Sequence, residues 1–130
     1  MNRETAALWS RAIKTCHLAK RITEEEPDSA ASRAYYAAFY AVSARFMMDG
    51  ATFTKHSAVE TALHRDLVKT GRWPLELGDA YSSLREIRMT ADYGGDLSVD
   101  VEGAKDAVDS AWRIIEAVHN ENPQMFPLEE

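Results

Sequence analysis

The sequence predicts an all-α fold, an up-and-down bundle of four to five helices in a single domain. Three observations predict it. Apolar residues recur at intervals of three and four along most of the chain, the spacing of one helix face. No stretch alternates in the period of two that a half-buried strand needs. The interruptions are short and carry Gly, Pro, Asp or Thr, which suits tight connections between neighbouring helices. At 130 residues the chain fits one domain, with the bundle expected over residues 1–120 and a tail over 121–130.

Residues 3–24 form the first expected helix, with Ala6, Trp9, Ile13, Cys16 and Ala19 on its apolar stripe. The second, over 28–50, is the centre of the pattern. Between Arg33 and Arg45 it carries no other charge, and its residues are almost all alanine or aromatic. Alanine has the best helix propensity. Pro27 precedes it, where a missing N–H costs nothing, and Asp28 or Ser29 is its expected cap. Gly50 suits a left-handed helix end. A helix apolar nearly all round is buried, so Arg33 at its start needs an anionic partner. That partner is a structural carboxylate, or else Arg33 lines a polar cleft.

The third helix is expected over 56–69, capped by Thr54 and stopped by Gly71. The fourth starts with Pro74 in its first turn and runs to about Thr90, ahead of a turn at 92–96. The fifth follows Asp100 as cap, with Ser98 as the alternative. Its stripe is Ala104, Ala107, Val108, Ala111, Ile114, Ile115 and Val118. Pro123 and Pro127 mark the tail.

Composition narrows the function classes. The net charge is −6, which argues against wholesale coating of nucleic acid. Residues 92–130 hold ten acids and two bases, whereas residues 1–91 hold eleven acids and thirteen bases. The acidity therefore belongs to the last third, and the middle of the chain remains able to meet a phosphate. Cys16 is the only cysteine, so no intrachain disulfide forms and a reducing compartment is the default. Residues 1–7 lack the apolar core of a secretory signal, and no apolar run reaches the roughly 20 residues that span a bilayer. A soluble, cytoplasmic protein with no membrane partner is expected.

Two motifs are set aside. His64-Arg65-Asp66-Leu67 has the letters of a kinase catalytic loop, but lies in a helix with no glycine-rich loop before it. Glu116 and His119 have the Glu-x-x-His spacing of di-iron bundles, but such a site needs a second copy and two further glutamates. No metal site is expected. Three candidates remain. Arg88 to Gly94 joins a helix end to a turn, where Arg88 pairs locally with Asp92 or its polar groups meet a ligand. Lys55 and His56 open a helix, as a simple surface or as an anion site. Arg33 is the third.

Four stretches carry a family resemblance. They are residues 32–41 (Ser-Arg-Ala-Tyr-Tyr-Ala-Ala-Phe-Tyr-Ala), 55–57 (Lys-His-Ser), 67–71 (Leu-Val-Lys-Thr-Gly), and 84–88 with 91–94 (Leu-Arg-Glu-Ile-Arg and Ala-Asp-Tyr-Gly). In this order and spacing the chain resembles the HEPN superfamily of small helical bundles, over about residues 8–118. It is most similar to stand-alone members encoded beside minimal nucleotidyltransferases in toxin–antitoxin pairs. The resemblance implies a homodimer and a nucleotidyltransferase partner. In the family's ribonucleases it implies a shared cleft holding an Arg-xxxx-His motif. The arginine steadies the scissile phosphate of RNA, the histidine helps to move the 2′-hydroxyl proton, and no metal or cofactor is needed.

Arg88 matches the family arginine, but Tyr93 stands where the histidine would be. A phenol with a pKa near 10 is a poor base at neutral pH. His56 is the better substitute. The Arg11/His17 and Arg113/His119 pairs lie six apart within helices and point in different directions. Three readings follow. The first is a homodimeric HEPN partner in a nucleotidyltransferase-linked toxin–antitoxin system, with Arg33, Tyr36, Arg88, Asp92 and Tyr93 forming a polar cluster beside the dimer seam. The second is a metal-independent endoribonuclease in which Arg33, Lys55 and Arg88 hold phosphate and His56 or Tyr93 handles the proton. The third is a non-catalytic interaction module.

Overall fold

Asn2 starts the first helix by accepting the N–H of Thr5 at 2.8 Å, which satisfies one of the free donors of the opening turn. The computed structural model describes residues 2–129; Met1 and Glu130, the last residue of the expected tail, lie outside them. The described residues form α1 (Arg3–Arg21), α2 (Pro27–Met48), α3 (His56–Ala62), α4 (Leu75–Tyr93) and α5 (Val101–Glu121), with no strand among them. The fold is the all-helical bundle that the periodicity predicts.

Helix α2 is its centre. It packs against α1, α5 and α4. Ala30, Ala31, Ala34, Ala37, Ala38, Ala41 and Ala44 are all fully buried. Methyl side chains let neighbouring backbones approach closely, so these positions form seams rather than a stripe. Trp9 and Ile13 of α1, Leu84 and Tyr81 of α4, and Ile114, Ile115 and Val118 of α5 fill the space around them.

Several ends differ from expectation. α1 stops at Arg21, where Thr23 Oγ1 bonds the Lys20 carbonyl. Asp28 does not cap α2. Its Oδ1 accepts the N–H of Val99 at 2.7 Å, tying the α4–α5 connection over the start of α2. Lys55 rather than Thr54 occupies the position before α3, with no side-chain cap. After Ala62 the chain continues as a π-helical segment, Leu63–Val68, where a uniform helix was expected. Its signature is the Lys69 N–H bonded to the His64 carbonyl five residues back. The widened turn buries Leu63 and Leu67 and lays His64 over Gly78, where a Cβ would come within 2.9 Å of the imidazole. α4 runs on to Tyr93, so Asp92 and Tyr93 belong to its last turn and not to a loop. Asp100 caps α5 as predicted, accepting the Gly103 N–H at 2.7 Å.

Among the described residues after α5 one, Phe126, returns to the core. Phe126 is fully buried against Trp9, with ring centres 5.1 Å apart. The Trp9 indole donates to the Pro127 carbonyl at 2.6 Å, and His119 Nδ1 meets the Phe126 carbonyl at 2.7 Å. Phe126 is an aromatic anchor within the expected tail, set between Pro123 and Pro127 in the sequence.

The buried arginine of α2 is Arg45, 2 % exposed. It forms a fork with Glu121 of α5 at 3.1 and 3.2 Å and pairs with Asp49. The Trp73 indole donates to the same Glu121 carboxylate at 3.1 Å. Burial pushes the guanidinium pKa down, but Glu121 and Asp49 push it up and prevail. This cluster ties the C-terminal ends of α2 and α5 to the loop before α4.

Two stability outcomes follow. Phe126→Ala loses about 3–5 kcal/mol in urea denaturation, the cost of a buried aromatic and not of a loose end. Glu121→Ala, which leaves a buried guanidinium with Asp49 alone, loses about 3 kcal/mol in the same measurement.

Candidate functional site

The site is built where the first half of α2 meets the last turns of α4 and the first residue of α3. Ser32 and Tyr36, one turn apart on α2, face Arg88 and Asp92, one turn apart on α4. Arg88 Nε donates to Asp92 Oδ2 at 3.1 Å, and Nη2 donates to the Tyr36 hydroxyl at 2.8 Å. Ser32 Oγ holds the same Asp92 oxygen at 3.2 Å. The guanidinium carbon lies 5.2 Å from the Tyr36 ring centre and 5.5 Å from those of Tyr35 and Tyr93. Three aromatic faces and a carboxylate thus hold one cation.

The Arg88 side chain is 17 % exposed. Burial works against its charge, but Tyr36, Tyr93 and Asp92 outweigh it, so the pKa rises. Two of its five N–H groups are used by Asp92 and Tyr36. Three remain to meet an anion. Tyr93 beside it is 67 % exposed.

His56 reaches the same aromatic cluster from α3. Its ring centre is 4.2 Å from that of Phe39 and 5.6 Å, edge-on, from Tyr36. Its Nδ1 is 3.4 Å from the Tyr35 hydroxyl. Burial, and then the positive charge of Arg88, hold its pKa below the ordinary histidine value. Arg88 and His56 therefore both rest on Tyr35 and Tyr36.

Arg33 lies outside the expected cluster. It is exposed and makes no side-chain hydrogen bond or ion pair among the described residues. One residue is 100° of helix rotation, and the bundle turns Ser32 and Tyr36 toward α4 instead. The partner that a buried arginine needs is found at Arg45. Lys55 is exposed beside His56, with no carboxylate against it among the described residues.

Sequence reasoning missed two features. Tyr35 sits beneath both Arg88 and His56, but its spacing marked it only as core. One turn earlier on α4, Arg85 Nε pairs with Glu60 Oε1 at 2.7 Å, Ser82 Oγ bonds Glu60 Oε2 at 2.9 Å, and His64 Nε2 meets Ser82 at 3.1 Å. The bonded partners stand 18 to 25 positions apart, so no local signal linked the two segments. Among the described residues no three His, Cys, Asp or Glu side chains gather where a metal would sit. His119, of the Glu-x-x-His spacing, is used by the Phe126 carbonyl.

The model of the HEPN domain matches residues 5–122 of this chain. The chain belongs to the HEPN domain family. Among relatives, a UPF0332 protein of Thermotoga maritima is 39 % identical over 112 residues, covering 85 % of each chain. A Methanocaldococcus jannaschii protein named "Putative toxin MJ0142" is 30 % identical over 104 residues, 79 % of this chain and 71 % of that one. In this HEPN chain the Arg-x-x-x-x-Tyr stretch from Arg88 to Tyr93 closes the C-terminal end of α4, with Arg88 mostly covered and Tyr93 exposed. Among the described residues no helix is long and apolar enough to cross a membrane.

The depressed histidine gives a pH prediction. Between the free-histidine pKa, about 6.5, and the lower folded value of His56, the unfolded chain binds more protons than the folded one. His56 therefore lowers stability as pH falls through that window. His56→Gln flattens that part of the profile, read as urea midpoint against pH. Asp92→Asn, breaking a half-exposed pair, changes stability by no more than about 1 kcal/mol at neutral pH.

Proposed function

We propose that this HEPN protein works in the cytoplasm as a homodimer, as one half of a toxin–antitoxin pair with a nucleotidyltransferase, and that its Arg88 site receives a phosphate group. The carrying observation is Arg88 itself. Asp92 and Tyr36 fix its direction and leave three N–H groups for an anion at an open edge. Met89, Tyr93 and Leu97 lie exposed along that edge, 46, 67 and 70 %. They supply an apolar border against which a second copy can close the cleft. The toxin name of the M. jannaschii relative agrees with this reading.

A second reading, the ribonuclease, is favoured by His56. Arg88 and His56 share the Tyr35–Tyr36 support, so a phosphate held by Arg88 lies beside an imidazole. In this reading the 2′-oxygen attacks the adjacent phosphorus as its proton is removed. The P–O5′ bond breaks, and the leaving oxygen takes up a proton. His56 or Tyr93 handles a proton and Arg88 offsets charge on the phosphate.

Light scattering on the purified protein gives the mass of two chains, and co-expression with the neighbouring gene recovers a nucleotidyltransferase in complex. A monomer, or repeated recovery without such a partner, removes the first reading. RNA cleavage that persists in EDTA and falls at least 100-fold in Arg88→Ala supports the second. Intact RNA at high wild-type concentration rejects it. Retained partner binding with no RNA effect in Arg88→Ala leaves only a helical interaction module.

A further inference from the structure

One buried side-chain polar atom among the described residues has no hydrogen-bond partner, the hydroxyl of Tyr81. Tyr81 is fully buried in α4. An orphaned hydroxyl in a dry interior is costly and calls for an explanation. Its ring meets that of Tyr35 edge-on at 6.0 Å, and the Tyr35 hydroxyl in turn lies 3.4 Å from Nδ1 of His56. Three groups thus form a line from the core to the Arg88 site.

We propose that Tyr35, backed by Tyr81, is a positioning residue for His56, holding the imidazole as the neutral tautomer with its proton on Nε2, where it donates to the phosphate that Arg88 binds. The Tyr35 hydroxyl is the neighbouring phenol that acts on Tyr81, and the Tyr81 hydroxyl gains a partner by donating to its oxygen. Tyr35 then directs its own proton to Nδ1 of His56. The ring's remaining proton is on Nε2, the nitrogen turned away from Tyr35. To protonate Nδ1 as well, Tyr35 must turn round and accept, which sends its proton toward Tyr81 and orphans the Tyr81 donor again.

The pair therefore resists the imidazolium. The other groups around this line are Arg88 from α4, Tyr36 from α2, and Glu60 of α3, which is already occupied by Arg85 and Ser82. Burial and the Arg88 charge act on His56 in the same direction as the hydroxyl line. Burial, and then the Tyr35 hydroxyl, push the Tyr81 phenol up, so it stays a proton donor. Under this assignment His56 serves the phosphate and is not the base for the 2′-hydroxyl. The role of the ligand rests on the phosphate reading above; the tautomer does not.

The test is long-range ¹H–¹⁵N correlation NMR of the histidine rings across pH. Wild type is expected to show neutral His56 with Nε2 protonated, titrating below a free histidine. Tyr81→Phe removes only the orphaned hydroxyl, folds as wild type, and shifts the His56 titration midpoint upward. Tyr35→Phe lets both tautomers appear. An Nδ1-protonated His56 in wild type, or a midpoint unmoved in Tyr81→Phe, overturns the proposal. A single-stranded oligouridylate added to the same samples tests the reading beneath it. Perturbation of the His56 Nε2 signal in wild type but not in Arg88→Ala supports a shared phosphate. If the tautomer is as expected and the oligouridylate perturbs nothing, the hydroxyl line stands and the phosphate assignment fails.

Discussion

Close approach at the alanine faces of α2 is the constraint on which the rest of this structure depends. Seven alanines of that helix are fully buried, and α1, α4 and α5 all pack on it. Each methyl contact is weak, but a buried helix makes many, and any larger side chain there would force neighbours apart. The helix offers little polar surface of its own to satisfy. Its charged residues, Asp28, Arg33 and Arg45, stand toward its two ends.

Two arginines, Arg45 on α2 and Arg88 on α4, show how enclosure separates structure from function. Arg45 is enclosed, with Glu121 gripping it as a fork and Asp49 completing the shell. At 2 % exposure it is out of reach of a ligand, and its buried charge is tolerated because two carboxylates pair with it. Arg88 is held by one carboxylate, one phenol and three aromatic faces, and keeps N–H groups toward an open edge. A cation that is fixed but not fully paired is prepared for an anion at little reorganisation cost.

The aromatic layer between α2 and α3 joins this cation to His56. Tyr35, Tyr36 and Phe39 contact the imidazole, and the first two also contact Arg88. This arrangement bears on Tyr93, which stands five residues after Arg88 in a chain that belongs to the HEPN family. A phenol there offers a hydrogen bond at neutral pH and not a ready proton acceptor. His56, brought from elsewhere in the chain, is the imidazole in contact with the same tyrosines.

The helical class, the central place of α2 and the cap of α5 by Asp100 were legible in the sequence, because periodicity and capping are local properties of a few successive residues. The resemblance carried by residues 32–41 and 84–94 also marked Arg88, Asp92 and Tyr36. Choosing Ser32 over Arg33 was beyond it, since one residue turns a helix by 100° and only packing decides which face points inward. The same holds for Arg45 with Glu121, for Asp28 with Val99 and for Phe126 under Trp9, pairs separated by 76, 71 and 117 positions. Local pattern carries the elements; partners distant along the chain are assigned by how those elements come together in space.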